Sequence, residues 1–295
     1  MDPPVMFNGR LEKGQVDSWL NLLEETSELD YRTHALAKSF LHLPESISFA
    51  SSLEGKIIGG TSIYRDRSRL AMVLASIAIR QEFRESAAYQ IIKSSLPFFK
   101  TVAIRDVDAL VALEAGRGAL GFPLSLELDS WTAEIIKRMG FTETDMLHHL
   151  SIIIDSEIYE KPIRWQTSYK RNEVRELIWD QSKAAGLSNS FVWLAHDFAS
   201  STKHLICAYE ENGLSAVAGI WDLSDTLCIT PLVSDPRRID WSLLAESIIA
   251  EAADRGVMRI EIPLIGKGQL DLIRALENLG CRSSCRNLTL LRKQL

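Results

Sequence analysis

The chain has 295 residues, of which 46% are hydrophobic and 24% charged, with a formal net charge of −6. This length suits two domains of ordinary size. The acidic balance excludes general binding to nucleic acid or anionic membrane, which need basic surface. No apolar run approaches the roughly 18 residues that cross a bilayer. The opening MDPPVMFNGRLEKG lacks the charged segment and apolar core of a secretory signal. The four cysteines, Cys207, Cys228, Cys281 and Cys285, offer no ligand spacing for zinc and read as free thiols. Reduced thiols and no leader make the cytoplasm the expected location.

Residues 1–10 read as a tail or a first strand. Residues 14–28 carry Val16, Trp19, Leu20, Leu22 and Leu23 at helical spacing, and residues 31–43 continue as a second helix ended by Pro44. A hairpin follows, with residues 47–50 and 57–64 joined by Glu54-Gly55-Lys56. Residues 72–79 form an apolar, β-branched strand. It turns through Arg80-Gln81-Glu82-Phe83-Arg84 into a helix marked by Ala87, Ala88, Ile91, Ile92 and Leu96. A strand that runs directly into a helix aims free N–H groups and a positive dipole end at one point, a ready anion site.

Residues 107–113 predict the next strand. Gly116, Gly118 and Gly121 mark a loop. A helix capped by Asp129 or Ser130 runs to Met139 and stops at Gly140-Phe141. Residues 146–154 close the unit as a strand, and residues 155–167 read as a polar linker. The order then repeats. It runs through helices at 172–185 and 191–198, a hairpin of 204–209 with 216–221 around Glu211-Asn212-Gly213, and a strand at 226–233. Asp235-Pro236-Arg237-Arg238 leads into a helix at 239–253. A strand at 257–262, a helix at 270–279 ended by Gly280 and a strand at 287–291 complete the chain. The offset of ~140 residues is that of a duplicated domain, not a solenoid repeat. The expected domains are residues 1–157 and 158–295.

This repeated order resembles the GCN5-related N-acetyltransferase (GNAT) superfamily in a tandem form. Three groups carry the resemblance in the first half: the hairpin with Ile57-Ile58-Gly59-Gly60, the run Ala78-Ile79-Arg80-Gln81-Glu82-Phe83-Arg84 into a helix, and residues 131–141 ending in Gly140-Phe141. In the second half Val233-Ser234-Asp235-Pro236-Arg237-Arg238 and residues 273–280 play the same parts. The resemblance implies an α/β fold, a mixed central sheet flanked by helices, present twice. It implies acetyl transfer from acetyl-CoA, as co-substrate and without a metal, to the amine of a small-molecule or protein acceptor. The cofactor would lie along Ile77, Ala78 and Ile79 and at the corner made by Arg84, Glu85, Ser86, Ala87 and Ala88.

The sequence departs from the family where chemistry is concentrated. Counted from Arg84, the positions of the two phosphate-loop glycines hold Ala87 and Tyr89; counted from Arg237, they hold Asp240 and Ser242. Glycine lets the backbone approach phosphate closely, and Asp240 would repel it. The tyrosine that serves as general acid in the family is replaced by Ile136 and Leu276. The first half is therefore the expected cofactor site and the second an acceptor-shaping or structural half. No catalytic residue is assigned. A catalytically silent ligand- or partner-binding protein is the alternative, and aminoacyl transfer from tRNA a third that the net charge disfavours. No nucleic-acid or membrane partner is expected, and a homodimer stays open. Glu127 with Asp129 reads as surface and cap before a base pair, His148-His149 as an edge-strand pair, and Trp165, Trp179, Trp193, Trp221 and Trp241 as packing before an acceptor pocket.

Overall fold

The computed structural model describes residues 6–27, 31–66, 71–95, 104–112, 128–154, 162–210 and 213–295. The loop around Gly116, Gly118 and Gly121, Glu127, and the expected boundary at 157/158 lie outside the described residues. By contact the chain forms two compact units, Met1–Asp145 with Leu288–Leu295, and Met146–Asn287. Among the described residues no helix is long and apolar enough to cross a membrane.

In chain order the elements are β1 (Met6–Arg10), α1 (Val16–Ser27), α2 (Tyr31–Leu41), β2 (Ser46–Leu53), β3 (Lys56–Asp66), β4 (Ala71–Ile79), α3 (Arg84–Ser95), β5 (Asp106–Ala112), α4 (Thr132–Arg138) and β6 (Thr142–Ile153). Then come β7 (Trp165–Gln166), α5 (Arg171–Ala184), α6 (Asn189–Ser201), β8 (Leu205–Glu210), β9 (Gly213–Leu223), β10 (Thr226–Ser234), α7 (Trp241–Asp254), β11 (Arg259–Ile265), α8 (Leu270–Asn278) and β12 (Arg282–Gln294). Gly140, at φ +90°, and Gly280, at φ +81°, end α4 and α8 in the left-handed region that glycine enters without steric cost.

In the first unit the strand order is β1, β2, β3, β4, β5 and then the end of β12, where Leu288 faces Ala112 and Gln294 faces Asp106. All neighbours are antiparallel except β4 with β5. One face carries α3 and α4, whose Ala88, Ile91, Ile92, Ala133 and Ile136 pack on Ile63, Met72, Leu74 and Val107. Trp19, Leu20, Leu22 and Leu23 of α1 are also fully buried. The second unit runs β6, β11, β10, β9, β8, β7, with β10 and β11 parallel. Leu244, Ile248 and Ile249 of α7 and Leu272 and Leu276 of α8 pack on Leu150, Ile152, Ile229 and Ile260.

Two strands are longer than the apolar pattern predicts. β6 starts at Thr142 rather than 146, and β12 covers 282–294 rather than 287–291. Their extra residues are polar and mostly exposed, so hydrophobic periodicity is silent about them.

Candidate functional site

The candidate site begins where β4 and β5 separate. They pair at Ala71↔Asp106, Met72↔Val107 and Val73↔Asp108 and no further, although β4 runs on to Ile79 and β5 to Ala112. The cause lies on the other side of β4. Ser62 faces Ser76 while Ile63 faces Leu74, so Ala75 is an extra residue. Such a bulge bends and twists its strand. Gly60 of β3 allows close packing on the other side of that strand: a Cβ there would lie 2.1 Å from the Phe49 carbonyl oxygen and 2.5 Å from the Trp19 ring.

The two sides of the gap are not equivalent. On the β5 side Leu128 lies alongside, its N–H donating to the Leu110 carbonyl at 2.7 Å and its carbonyl accepting from Ala112 N–H at 3.0 Å. On the β4 side, residues 74–79 have no strand partner toward β5 among the described residues. This edge, which includes Ile77, Ala78 and Ile79, can pair with an extended ligand arm.

β4 ends at a corner rich in cations. A 3-10 turn over Gln81–Phe83 runs straight into α3, with Phe83 N–H on the Arg80 carbonyl at 2.9 Å. The first N–H groups of a helical segment lack an intrahelical acceptor. Here those are at Gln81 and Glu82, one turn before Arg84. Arg80 is committed: its guanidinium meets Glu25 of α1 at 2.6 Å and the Ile57 carbonyl at 3.2 Å. Arg84 donates through Nε to the Ile79 carbonyl at 3.3 Å and lies 4.7 Å from the Trp131 ring centroid. It has no carboxylate partner among the described residues. Glu85 and Ser86 are exposed, Ala87 is half-buried and Ala88 is buried in the core. Tyr89, where the resemblance leads one to expect a glycine, lies under Lys93 and Arg138 at 5.5 and 5.4 Å. Arg84, Trp131, Tyr89 and Arg138 thus form a cationic and aromatic face that sequence spacing did not connect.

The second unit builds the same corner and closes it. β10 and β11 pair at Thr226↔Arg259, Leu227↔Ile260 and Cys228↔Glu261 and then diverge. The bulge lies between Ile229 and Leu232 of β10. Counted from the first parallel pair, Leu232 corresponds to Ile77. Its carbonyl accepts from the buried Gln269 side chain at 2.9 Å, and the same amide accepts from Gly266 N–H at 3.0 Å. Gln269 therefore stitches the gap. At the corner, the buried Asp235 binds Arg237 through two bonds of 2.9 Å and meets Arg238 at 3.4 Å. The Arg237 hydrogen bond holds the Asp235 carboxyl below its usual range. Asp240 caps α7, accepting from Ser242 N–H at 2.7 Å. The helix start is thus taken by the chain's own carboxylate.

Other expected candidates resolve individually. Asp129 does not cap α4 with its side chain; the N-cap is Trp131, whose indole N–H donates to that carboxylate at 3.3 Å. His149 is buried, with Nε2 donating to Glu261 at 2.7 Å and Nδ1 accepting from Arg286 at 3.1 Å, the pattern of a neutral imidazole. His148 meets Asn287. Trp193 and Trp221 are buried, Trp165 and Trp241 pack on the core, and Trp179 is 52% exposed. Ile136 and Leu276 are fully buried. Cys207, Cys228 and Cys281 are buried free thiols and Cys285 an exposed one. Burial pushes the Cys207 thiol up to about 12.

No protein-family model matches the chain, and no curated protein does. Solved structures do. An acetyltransferase-like protein of Pyrococcus horikoshii superposes with a TM-score of 0.69 at 12% identity, over 98% of this chain and 89% of that one. A tandem GNAT protein of the clavulanic acid biosynthesis pathway gives 0.67 at 10% identity, over 98% of both chains. A GCN5-related N-acetyltransferase from Sphaerobacter thermophilus gives 0.62 at 10% identity, over 98% and 95%. At such identities the likeness is one of backbone. The chain has the GNAT fold in its tandem form.

Proposed function

We propose that the chain transfers an acyl group, acetyl from acetyl-CoA, to the amine of a small-molecule or protein acceptor, and that the first unit holds the cofactor. The contrast between the two corners carries this reading. In the first, the β4 edge beyond Val73 is unpaired and Arg84 has no carboxylate partner among the described residues. In the second, Gln269, Asp235 and Asp240 occupy the equivalent groups.

The thioester supplies the acyl group. The chain's part is to hold it: backbone groups of Ile77, Ala78 and Ile79 pair with the extended arm. The first free N–H groups of the helical segment, with Arg84, meet phosphate beside Glu85, Ser86, Ala87 and Ala88. Direct attack by an oriented amine needs positioning above all. With Ile136 and Leu276 where the family carries its acid, the nitrogen gives up its proton to water as the C–N bond forms and the C–S bond breaks, and the departing thiolate takes one from water. A silent binding module is the second reading, favoured by the exposed acidic Glu85 in the first turn of α3 and by that missing acid.

Isothermal titration calorimetry with acetyl-CoA and CoA tests the proposal. Both bind the unaltered chain. Arg84→Glu weakens them at least about tenfold, since a charged hydrogen bond contributes about 1.5–3 kcal/mol, while Arg237→Glu leaves binding unchanged. No heat at millimolar cofactor refutes the cofactor site; binding without turnover over a panel of amines selects the silent module.

A further inference from the structure

The seam between α3 and α4 collects cations that the chain does not neutralise. Trp131, at the start of α4, and Arg138, at its end, are seven residues apart, so they lie on one face two turns from each other. Each meets a residue of α3. Arg84 lies 4.7 Å from the Trp131 ring centroid, and Arg138 lies 5.4 Å from that of Tyr89. Lys93, one turn after Tyr89, comes to 5.5 Å from the same ring. Tyr89 is half-buried, whereas Lys93 and Arg138 are exposed.

The missing partners set these cations apart. The net charge of the chain is −6, and several arginines elsewhere pair with carboxylates: Arg80 with Glu25, Arg274 with Asp271 and Arg292 with Asp108. Lys93 and Arg138, like Arg84, have no carboxylate partner among the described residues. Glu134, one turn before Arg138, is exposed and makes no ion pair with it. Glu143 is taken by Lys137 at 2.8 Å. A ring face attracts a cation without cancelling its charge. Tyr89 therefore gathers an ammonium and a guanidinium at one point and leaves both able to bind an anion. The side chain that stands in place of the expected glycine is the one that gathers them. The second unit does not repeat this at α8: Asn278 stands two residues before Gly280, where Arg138 stands two before Gly140.

We propose that Lys93 and Arg138, gathered on Tyr89, hold the 3′-phosphate of coenzyme A, so that the chain selects CoA over 3′-dephospho-CoA. This rests on the reading that the first unit holds the cofactor. In that reading the diphosphate meets Arg84 and the free N–H groups before α3. Tyr89 follows Arg84 by five residues, about 7.5 Å along the helix, and in CoA one ribose separates the diphosphate from the 3′-phosphate. A phosphate monoester carries about −1.5 to −2 charges at neutral pH. Two cations suit it better than one, each through a charge-assisted hydrogen bond.

Calorimetric titration of the full chain with CoA and with 3′-dephospho-CoA is the test. CoA binds at least about tenfold more tightly, a difference of about 1.4 kcal/mol. The double variant Lys93→Gln/Arg138→Gln, at two exposed positions, removes that preference by weakening CoA alone, and its melting temperature stays that of the unaltered chain. Tyr89→Leu lowers the preference, whereas Tyr89→Phe, which keeps a ring face, retains it. Arg84→Glu weakens both ligands and leaves their ratio unchanged, which separates the 3′-phosphate site from the diphosphate site. Equal affinity of the unaltered chain for the two coenzymes, or a preference that survives in the double variant, overturns this inference alone. Binding of neither coenzyme overturns it together with the cofactor reading.

Discussion

At the scale of single residues, each unit holds a strand glycine that no side chain can replace. Gly60 and Gly219 each face backbone so closely that a Cβ would collide, at 2.1 Å with the Phe49 carbonyl oxygen and 2.3 Å with the Thr230 carbonyl oxygen. We expect Gly60→Ala to lower unfolding stability by about 1–3 kcal/mol through overpacking, measured by urea denaturation, whereas Gly9→Ala, with nothing within 4 Å, stays near neutral. His204 makes a pH prediction. Burial pushes its imidazole down, and its ring stacks on Trp221 at 5.5 Å. Folding then favours the neutral ring. The stability is fully present above the unfolded pKa of about 6.5 and falls as pH drops from there through the lowered folded value. His204→Phe keeps the stack and should flatten melting temperature against pH in this window; a slope equal to that of the unaltered chain would refute the assignment. Such residue-level facts were only partly legible. The absent glycines and the awkward Asp240 could be read from spacing; that Asp240 caps α7 and that Asp235 ties up both arginines could not, because these depend on where side chains turn.

At the scale of elements, the splayed strand pair is the unit of design. Asp108 and Glu261 sit at the same step, on the last parallel pair before each gap. Each is buried and takes a partner from the neighbouring strand: Arg292 of β12 at 2.6 Å for Asp108, and His149 and Ser151 of β6 at 2.7 and 2.8 Å for Glu261. Removing one member of a buried pair strands the other's charge. Arg292→Ala should therefore cost about 3 kcal/mol, somewhat less for the partial exposure of Arg292, and Asp108→Asn in the same chain should recover part of it in denaturation measurements. The order of strands and helices was legible because apolar runs of period two and near 3.6 mark both, and the glycine stops fix their ends. The bulges at Ala75 and after Ile229 were not. A bulge is a register event between strands, and one strand's sequence carries no record of its partner's count. The link of Arg84 with Trp131 was hidden for a related reason: the residues are distant in the chain and meet only when α3 and α4 pack on one face.

At the scale of the whole molecule, duplication was legible and the membership of the units was not. Residues 288–295 belong with the first unit, where Leu288 and Leu291 are fully buried against β5. Nothing in LTLLRKQL says which sheet it joins, since any half-buried strand would look the same. Truncation at 287 should remove the first unit's tertiary signal in near-ultraviolet circular dichroism and leave the second unit's tryptophan environments intact. This placement of β12 has a consequence for how the protein comes into being. On the ribosome, N-terminal domains ordinarily fold first. Here residues 146–287 all leave the ribosome before residue 288 does, so the second unit can begin to close while the first still waits with the β5 edge bare. Maturation runs opposite to synthesis, and the half proposed to hold the cofactor is the last to form. Ribosome-arrested chains in which residue 287 is followed by an unstructured linker long enough to clear the exit tunnel should resist protease across the second unit and be cut within the first.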